Sequence, residues 1–182
     1  MSKQTANLEV NQLYESNIIA KEEIPTMIGW LPKHPLKIIK LYDTNNDTHN
    51  VGAFHEKCDN KGTTIVLIKT ATNSRFGGYT SKSWGSSTGD YICDPTAFLF
   101  SFDTKKKYNV NTPKWAIYCH HQYGPTFGNG HDIHLSNYAP QNNSSYTNGM
   151  AYPLETQHEL NKGGKNFTAK NYEVYQIIYP EN

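Results

Sequence analysis

Apolar residues change their spacing part-way along this chain. Near the start, Leu8, Val10, Leu13 and Ile18 are scattered among good helix formers, so residues 1 to about 22 read as a separate element containing a short helix. Pro25, Pro32 and Pro35 then break any longer helix, because each lacks an amide hydrogen and constrains the residue before it. Met27, Ile28, Trp30 and Leu31 are too apolar for a free linker and predict a helical turn docked on the main body. A clearer helix follows, with Val51, Phe54 and Cys58 on one face, Asp47 or Thr48 as its cap and Gly62 as its stop.

From Thr63 onward the period shortens. Thr63 to Thr70 is a buried strand by its β-branched content, and Arg75 to Thr80 returns within hairpin distance. A Ser- and Gly-rich loop from Ser81 to Pro95 leads to Ala97–Phe102, where Phe98, Phe100 and Phe102 alternate with Leu99 on the other face. Lys105–Lys107 makes a solvated turn, and Trp115–Cys119 is the next strand. Short strands are expected at 123–127 and 132–136, a polar loop at 141–149, and a long closing strand at 166–179 with a bulge after Tyr175. Many short strands with few helices predict a mainly β (α+β) fold: a two-sheet antiparallel β-sandwich with peripheral helices. Residues 1–35 form an extension and residues 36–182 the sandwich domain.

Composition narrows the class without naming it. A length of 182 residues suits one domain, and 17 basic against 16 acidic residues give a formal charge of +1. That balance offers no global attraction to nucleic acid or anionic lipid. The start of the chain shows no apolar signal region, and no apolar run is long enough to span a bilayer. Three widely spaced cysteines, Cys58, Cys93 and Cys119, contain no CxxC pair and suggest reduced thiols in a cytoplasmic setting. The 13 tyrosines favour sheet surfaces, where a ring packs across the pleat.

Specific strings then carry a family resemblance. Ala53-Phe54-His55-Glu56-Lys57-Cys58-Asp59-Asn60-Lys61-Gly62, the strand 64–69 and Phe76-Gly77-Gly78-Tyr79-Thr80 resemble the TLDc domain. Ser83-Trp84, Asp94-Pro95-Thr96-Ala97-Phe98-Leu99-Phe100-Ser101, Tyr123-Gly124-Pro125-Thr126-Phe127-Gly128-Asn129-Gly130-His131-Asp132 and Tyr172-Glu173-Val174-Tyr175 continue it in order. The likeness runs from about residue 38 to 179. It implies a β-sandwich edged by short helices, and a family that includes oxidation-resistance proteins and regulators of the vacuolar proton ATPase. It supplies no catalytic residues and no cofactor.

Several candidate chemical centres stand beside that resemblance. His131 and His134 form an HxxH string, but on a strand their side chains diverge, as do those of His120 and His121. His55 and Cys58 are helical neighbours that could form a nucleophilic pair, yet Cys58 shares the apolar stripe and should be a buried, inert thiol. Gly128-Asn129-Gly130 lacks the rest of a dinucleotide fingerprint. The expected function is therefore non-enzymatic protein binding, with Trp84, Tyr91, Tyr123 and Phe127 as partner-binding residues on loops, Trp84 and Tyr123 being equally suited to cap the ends of the sandwich. Vacuolar ATPase subunits or a cytoskeletal complex are the expected partners, without nucleic acid or direct membrane insertion. A fixed structural subunit and a thiol-dependent antioxidant enzyme are the alternatives.

Overall fold

The structure, a computed structural model, describes residues 10–181. A seven-stranded sheet contains β1 (Val10–Asn11), β2 (Lys37–Asp43), β3 (Thr64–Lys69), β4 (Arg75–Thr80), β6 (Phe98–Ser101), β7 (Lys106–Asn109) and β13 (Asn171–Ile178), in the order β1-β2-β13-β3-β4-β6-β7. A six-stranded sheet contains β5 (Asp90–Ile92), β8 (Ile117–Cys119), β9 (Thr126–Phe127), β10 (Ile133–His134), β11 (Ser145–Tyr146) and β12 (Asn166–Phe167), in the order β12-β11-β10-β9-β8-β5. All pairings are antiparallel except β1 with β2. The helices are α1 (Ile24–Trp30) and α2 (Val51–Cys58). The architecture is a mainly β sandwich with peripheral helices.

Alternation along the strands sorts side chains into two cores. Val66, Ile68, Phe76, Leu99, Tyr172 and Val174 face inward against Ile117, Phe127, Ile133 and Phe167 of the second sheet, joined by Phe54 and Cys58 of α2. Ile65, Leu67, Phe98, Phe100 and Tyr175 face the other way, into a second cluster with Leu13, Ile18, Ile19, Ile24, Met27 and Leu31. Residues 12–31 thus lie as a strap over the outer face of the seven-stranded sheet. Burying each such side chain contributes about 1.5–3 kcal/mol. Polar ties fix the register of the strap: Arg75 pairs in two-pronged fashion with Glu23 at 2.7 and 2.8 Å. Ser16 Oγ and the Asn17 amide donate to buried Glu173 at 2.6 and 3.0 Å, and Lys107 Nζ donates to the Trp30 carbonyl at 2.8 Å.

The paired glycines of β4 set the distance between the layers. A Cβ at Gly78 would lie 2.6 Å from the Phe127 ring, and one at Gly77 would collide with the Val66 carbonyl. Their pairing with β3 is regular, so these glycines serve close approach rather than a bulge.

Local details depart from the sequence reading for identifiable reasons. The N-terminal helix is only a 3-10 turn, Gln12–Glu15, and Leu8 lies outside the described residues. Asn50, not Asp47 or Thr48, caps α2, its side chain accepting from the Ala53 amide at 2.9 Å. Asp47 is engaged by Lys57, and the Thr48 carbonyl accepts from Tyr42. The helix stops at Cys58, and Gly62, with φ of +70°, shapes the next turn instead. The closing strand divides: β12 joins the six-stranded sheet and β13 the other, with a register shift between Val174 and Tyr175. The strands expected at 123–127 and 132–136 are reduced to the two-residue ladders β9 and β10.

Candidate functional site

Two of the four residues expected on the surface are core. Trp84 is 2% exposed, packs edge-on against Phe54 and Phe127, and donates its indole N–H to Thr64 Oγ1 at 2.9 Å. Phe127 is fully buried over Gly78. A partner-binding ring must be accessible before docking, and neither is. The loop carrying Trp84 is polar in composition, but Asn60 donates to the Trp84 carbonyl at 3.1 Å and draws it inward.

Tyr91 and Tyr123 lie instead on the outer face of the six-stranded sheet. In β8, Ile117 and Cys119 point into the core, so Tyr118 points out, directly opposite Tyr91 of β5 with ring centroids 4.8 Å apart. Tyr118 meets Tyr123 at 5.9 Å and His131 at 5.1 Å, and Tyr123 meets His120 at 4.5 Å and His134 at 4.6 Å. Tyr146 of β11, registered against His134 of β10, closes the array at 4.8 Å. Tyr91 is 38% exposed, whereas His134 is almost buried.

The histidines do not diverge as strand alternation predicts. His131 has φ of +67°, which turns its ring back beside His134 at 5.5 Å. Strand β8 ends at Cys119, which releases His120 and His121 to stack at 4.6 Å. Among the described residues, no group of three His, Cys, Asp or Glu side chains is placed to hold a metal ion. Burial, followed by the neighbouring His131, pushes His134 down to about 3. Burial also lowers His131, and burial and His121 lower His120. Each of these shifts favours the uncharged imidazole. His131 Nδ1 is bonded to the Tyr146 hydroxyl at 2.8 Å, and His134 Nδ1 to Thr126 Oγ1 at 3.1 Å.

Two residues behind the face hold its loops. His55 Nδ1 meets Asp59 at 2.8 Å, while Nε2 reaches the carbonyls of His120 and Tyr123 at 3.1 and 3.0 Å. With Nδ1 facing the carboxylate and Nε2 facing two acceptors, the ring ties α2 to the 120–123 turn. Asp132 is fully buried, its Oδ2 accepting from the Ala151 amide at 3.1 Å while Oδ1 has no protein partner. A Cβ at Gly128 or Gly149 would strike this carboxylate. Burial pushes its pKa up to about 7 against the backbone hydrogen bonds that lower it.

Two of the three thiols are poorly placed for chemistry. Burial pushes Cys58 far above the usual thiol range and Cys119 up to about 11, while the ring nitrogens of His55 are engaged elsewhere. Cys93 is exposed. Sequence reading missed Tyr118, His120, His131, His134 and Tyr146 as parts of the face. The alternation of Ile117, Tyr118 and Cys119 would have found the first; the positive φ of His131 leaves no comparable signal.

No helix among the described residues is long and apolar enough to cross a membrane. No curated protein matches this chain. The family model of the TLDc domain matches residues 12–178, which takes in the strap as well as both sheets. The chain belongs to the TLDc domain family.

Proposed function

We propose that this protein is a non-enzymatic docking module, with Tyr91, Tyr118 and Tyr123 as its contact residues. The observation that carries this reading is the uncovered tyrosine–histidine face on a sandwich whose other outer face is covered by its own chain. Tyrosine rings combine large contact area with a polar tip, and they are enriched where proteins meet. In this reading residues 36–182 form the sandwich body and residues 1–35 an extension, of which residues 12–31 lie over the seven-stranded sheet. The family resemblance points to a cytosolic partner, the peripheral sector of a vacuolar-type proton ATPase, and to a regulatory role linked to oxidation resistance.

Affinity capture from native lysate, with the wild-type chain beside a Tyr91→Ala/Tyr123→Ala variant, tests this. Recovery of proton-pump subunits by the wild type and their loss with the variant is the expected result. Recovery of tubulin-associated proteins without pump subunits overturns the pump assignment and supports a fixed structural subunit. Equal recovery by the two chains overturns the face as the contact surface.

A further inference from the structure

One contact on the tyrosine–histidine face has chemistry of its own. A phenol that loses an electron becomes a strong acid, so its oxidation is easiest where a base can accept the hydroxyl proton at once. A general base works at hydrogen-bond distance, about 2.6–3.2 Å between heavy atoms. The Tyr146 hydroxyl and His131 Nδ1 are 2.8 Å apart. The His131 ring is held there by its backbone, fixed by the amide of His131 donating to the Gly128 carbonyl and that of Asn148 to the His131 carbonyl. Tyr118, Tyr123 and His134 pack around His131, Lys165 lies over the outer side of Tyr146, and Asp132 is turned into the core.

The same pair stands at one end of a continuous path of rings. From Tyr146 the path runs through His134 (4.8 Å) to Tyr123 (4.6 Å), Tyr118 (5.9 Å) and the exposed Tyr91 (4.8 Å). The most accessible phenol of this face and the phenol with a hydrogen-bonded base are thus joined by ring contacts.

We propose that Tyr146 and His131 form a redox-active pair, reached through the Tyr91–Tyr118–Tyr123 path, that yields one electron and one proton to a one-electron oxidant of the peroxyl-radical class. The electron leaves the Tyr146 phenol along the path and reduces the peroxyl radical. The Tyr146 O–H bond breaks as an N–H bond forms at His131 Nδ1. The reduced peroxyl takes a proton from water and departs as a hydroperoxide, and the imidazolium returns a proton to the solvent. The products are one hydroperoxide and one neutral tyrosyl radical. The pair requires no thiol and is independent of whether the face also docks a protein.

The test exposes the full chain to peroxyl radicals from a thermally decomposed, water-soluble azo compound and follows tyrosyl radical by rapid-freeze electron paramagnetic resonance. The wild type should give a tyrosyl signal that Tyr146→Phe abolishes and that a control, Tyr138→Phe outside the face, leaves unchanged. His131→Asn should slow its formation roughly a hundredfold, the usual worth of a positioned base. Asparagine tolerates positive φ, so that variant keeps the turn. Wild-type formation should also fall as acid protonates His131, while His131→Asn shows no such step. A signal undiminished in Tyr146→Phe, or a wild-type rate and pH profile in His131→Asn, overturns the proposal. Should Tyr146→Phe fail to fold, the His131→Asn rate and pH profile decide alone.

Discussion

The two outer faces of this sandwich solve the same problem differently. On the seven-stranded sheet, strand residues such as Leu67, Phe98 and Phe100 are so apolar that residues 12–31 must cover them, and Leu13, Ile24 and Met27 of the strap are almost wholly buried. On the six-stranded sheet the outward positions are tyrosine and histidine, whose rings cover one another and keep polar tips for water. The first face is committed to the fold. The second is stable uncovered, and so is free to have a function.

Substitutions on the two sides should separate these roles. Met27→Ala removes a strap side chain from the second core and should cost about 2–5 kcal/mol of unfolding free energy, read from denaturant midpoints. A cost well under 1 kcal/mol would mean that the strap is dispensable and the comparison false. Asp132, behind the tyrosine face, should give a pH-dependent difference. Its folded pKa of about 7 lies above the ordinary 3.8, so its contribution is most favourable when protonated and is lost as pH rises between those values. Between pH 4.5 and 8 the stability of Asp132→Asn should gain on the wild type by roughly 2–4 kcal/mol. A gap that does not change with pH would refute the buried, under-satisfied carboxylate.

A smaller effect is expected at the strap's ion pair. Arg75→Ala should cost about 1 kcal/mol, since both partners keep some exposure. Hydrogen bonding from Arg75 holds Glu23 below the ordinary 4.5, so this stabilisation is complete above that value and fades as pH falls through the folded pKa. The gap between variant and wild type should close in acid. Smallest of all, Tyr118→Ala on the open face should change stability by about 1 kcal/mol or less. A loss as large as that of Met27→Ala would place Tyr118 among the structural residues.

How much of this was legible in the sequence depends on what kind of signal each feature leaves. The β-branched run at 63–70 and the aromatic run at 98–102 announced their strands, because such side chains suit a pleated surface, and here both faces of each strand are buried. The paired Gly77 and Gly78 allowed either a bulge or close packing by sequence; the regular register and the approach of Phe127 and the Val66 carbonyl decide for close packing. Whether Trp84 docks a partner or caps the sandwich was open in the sequence, because a Ser- and Gly-rich loop looks exposed until its tie to Asn60 is seen. Most of the tyrosine–histidine face was hidden for a related reason. Tyr91 and Tyr123 stood out individually, but the stacking of His131 on His134 depends on a left-handed backbone at a residue that is not glycine. The strap's docking was foreshadowed by Met27 to Leu31, whereas the buried Glu173 that receives Ser16 and Asn17 stands between Tyr172 and Val174 and could not be paired by pattern.

The terminal strands of both sheets carry a further consequence. Strand β7 ends the larger sheet with Lys106, paired to Glu155 at 2.5 Å, and Lys107, whose ammonium sits over the Phe98 ring. The opposite margin is the two-residue β1, and β5 ends the smaller sheet after three residues beginning with Asp90. Short or charged margins are poor templates for another copy's backbone. Backbone pairing between copies is therefore disfavoured at these margins, and any self-association would have to use the flat surfaces.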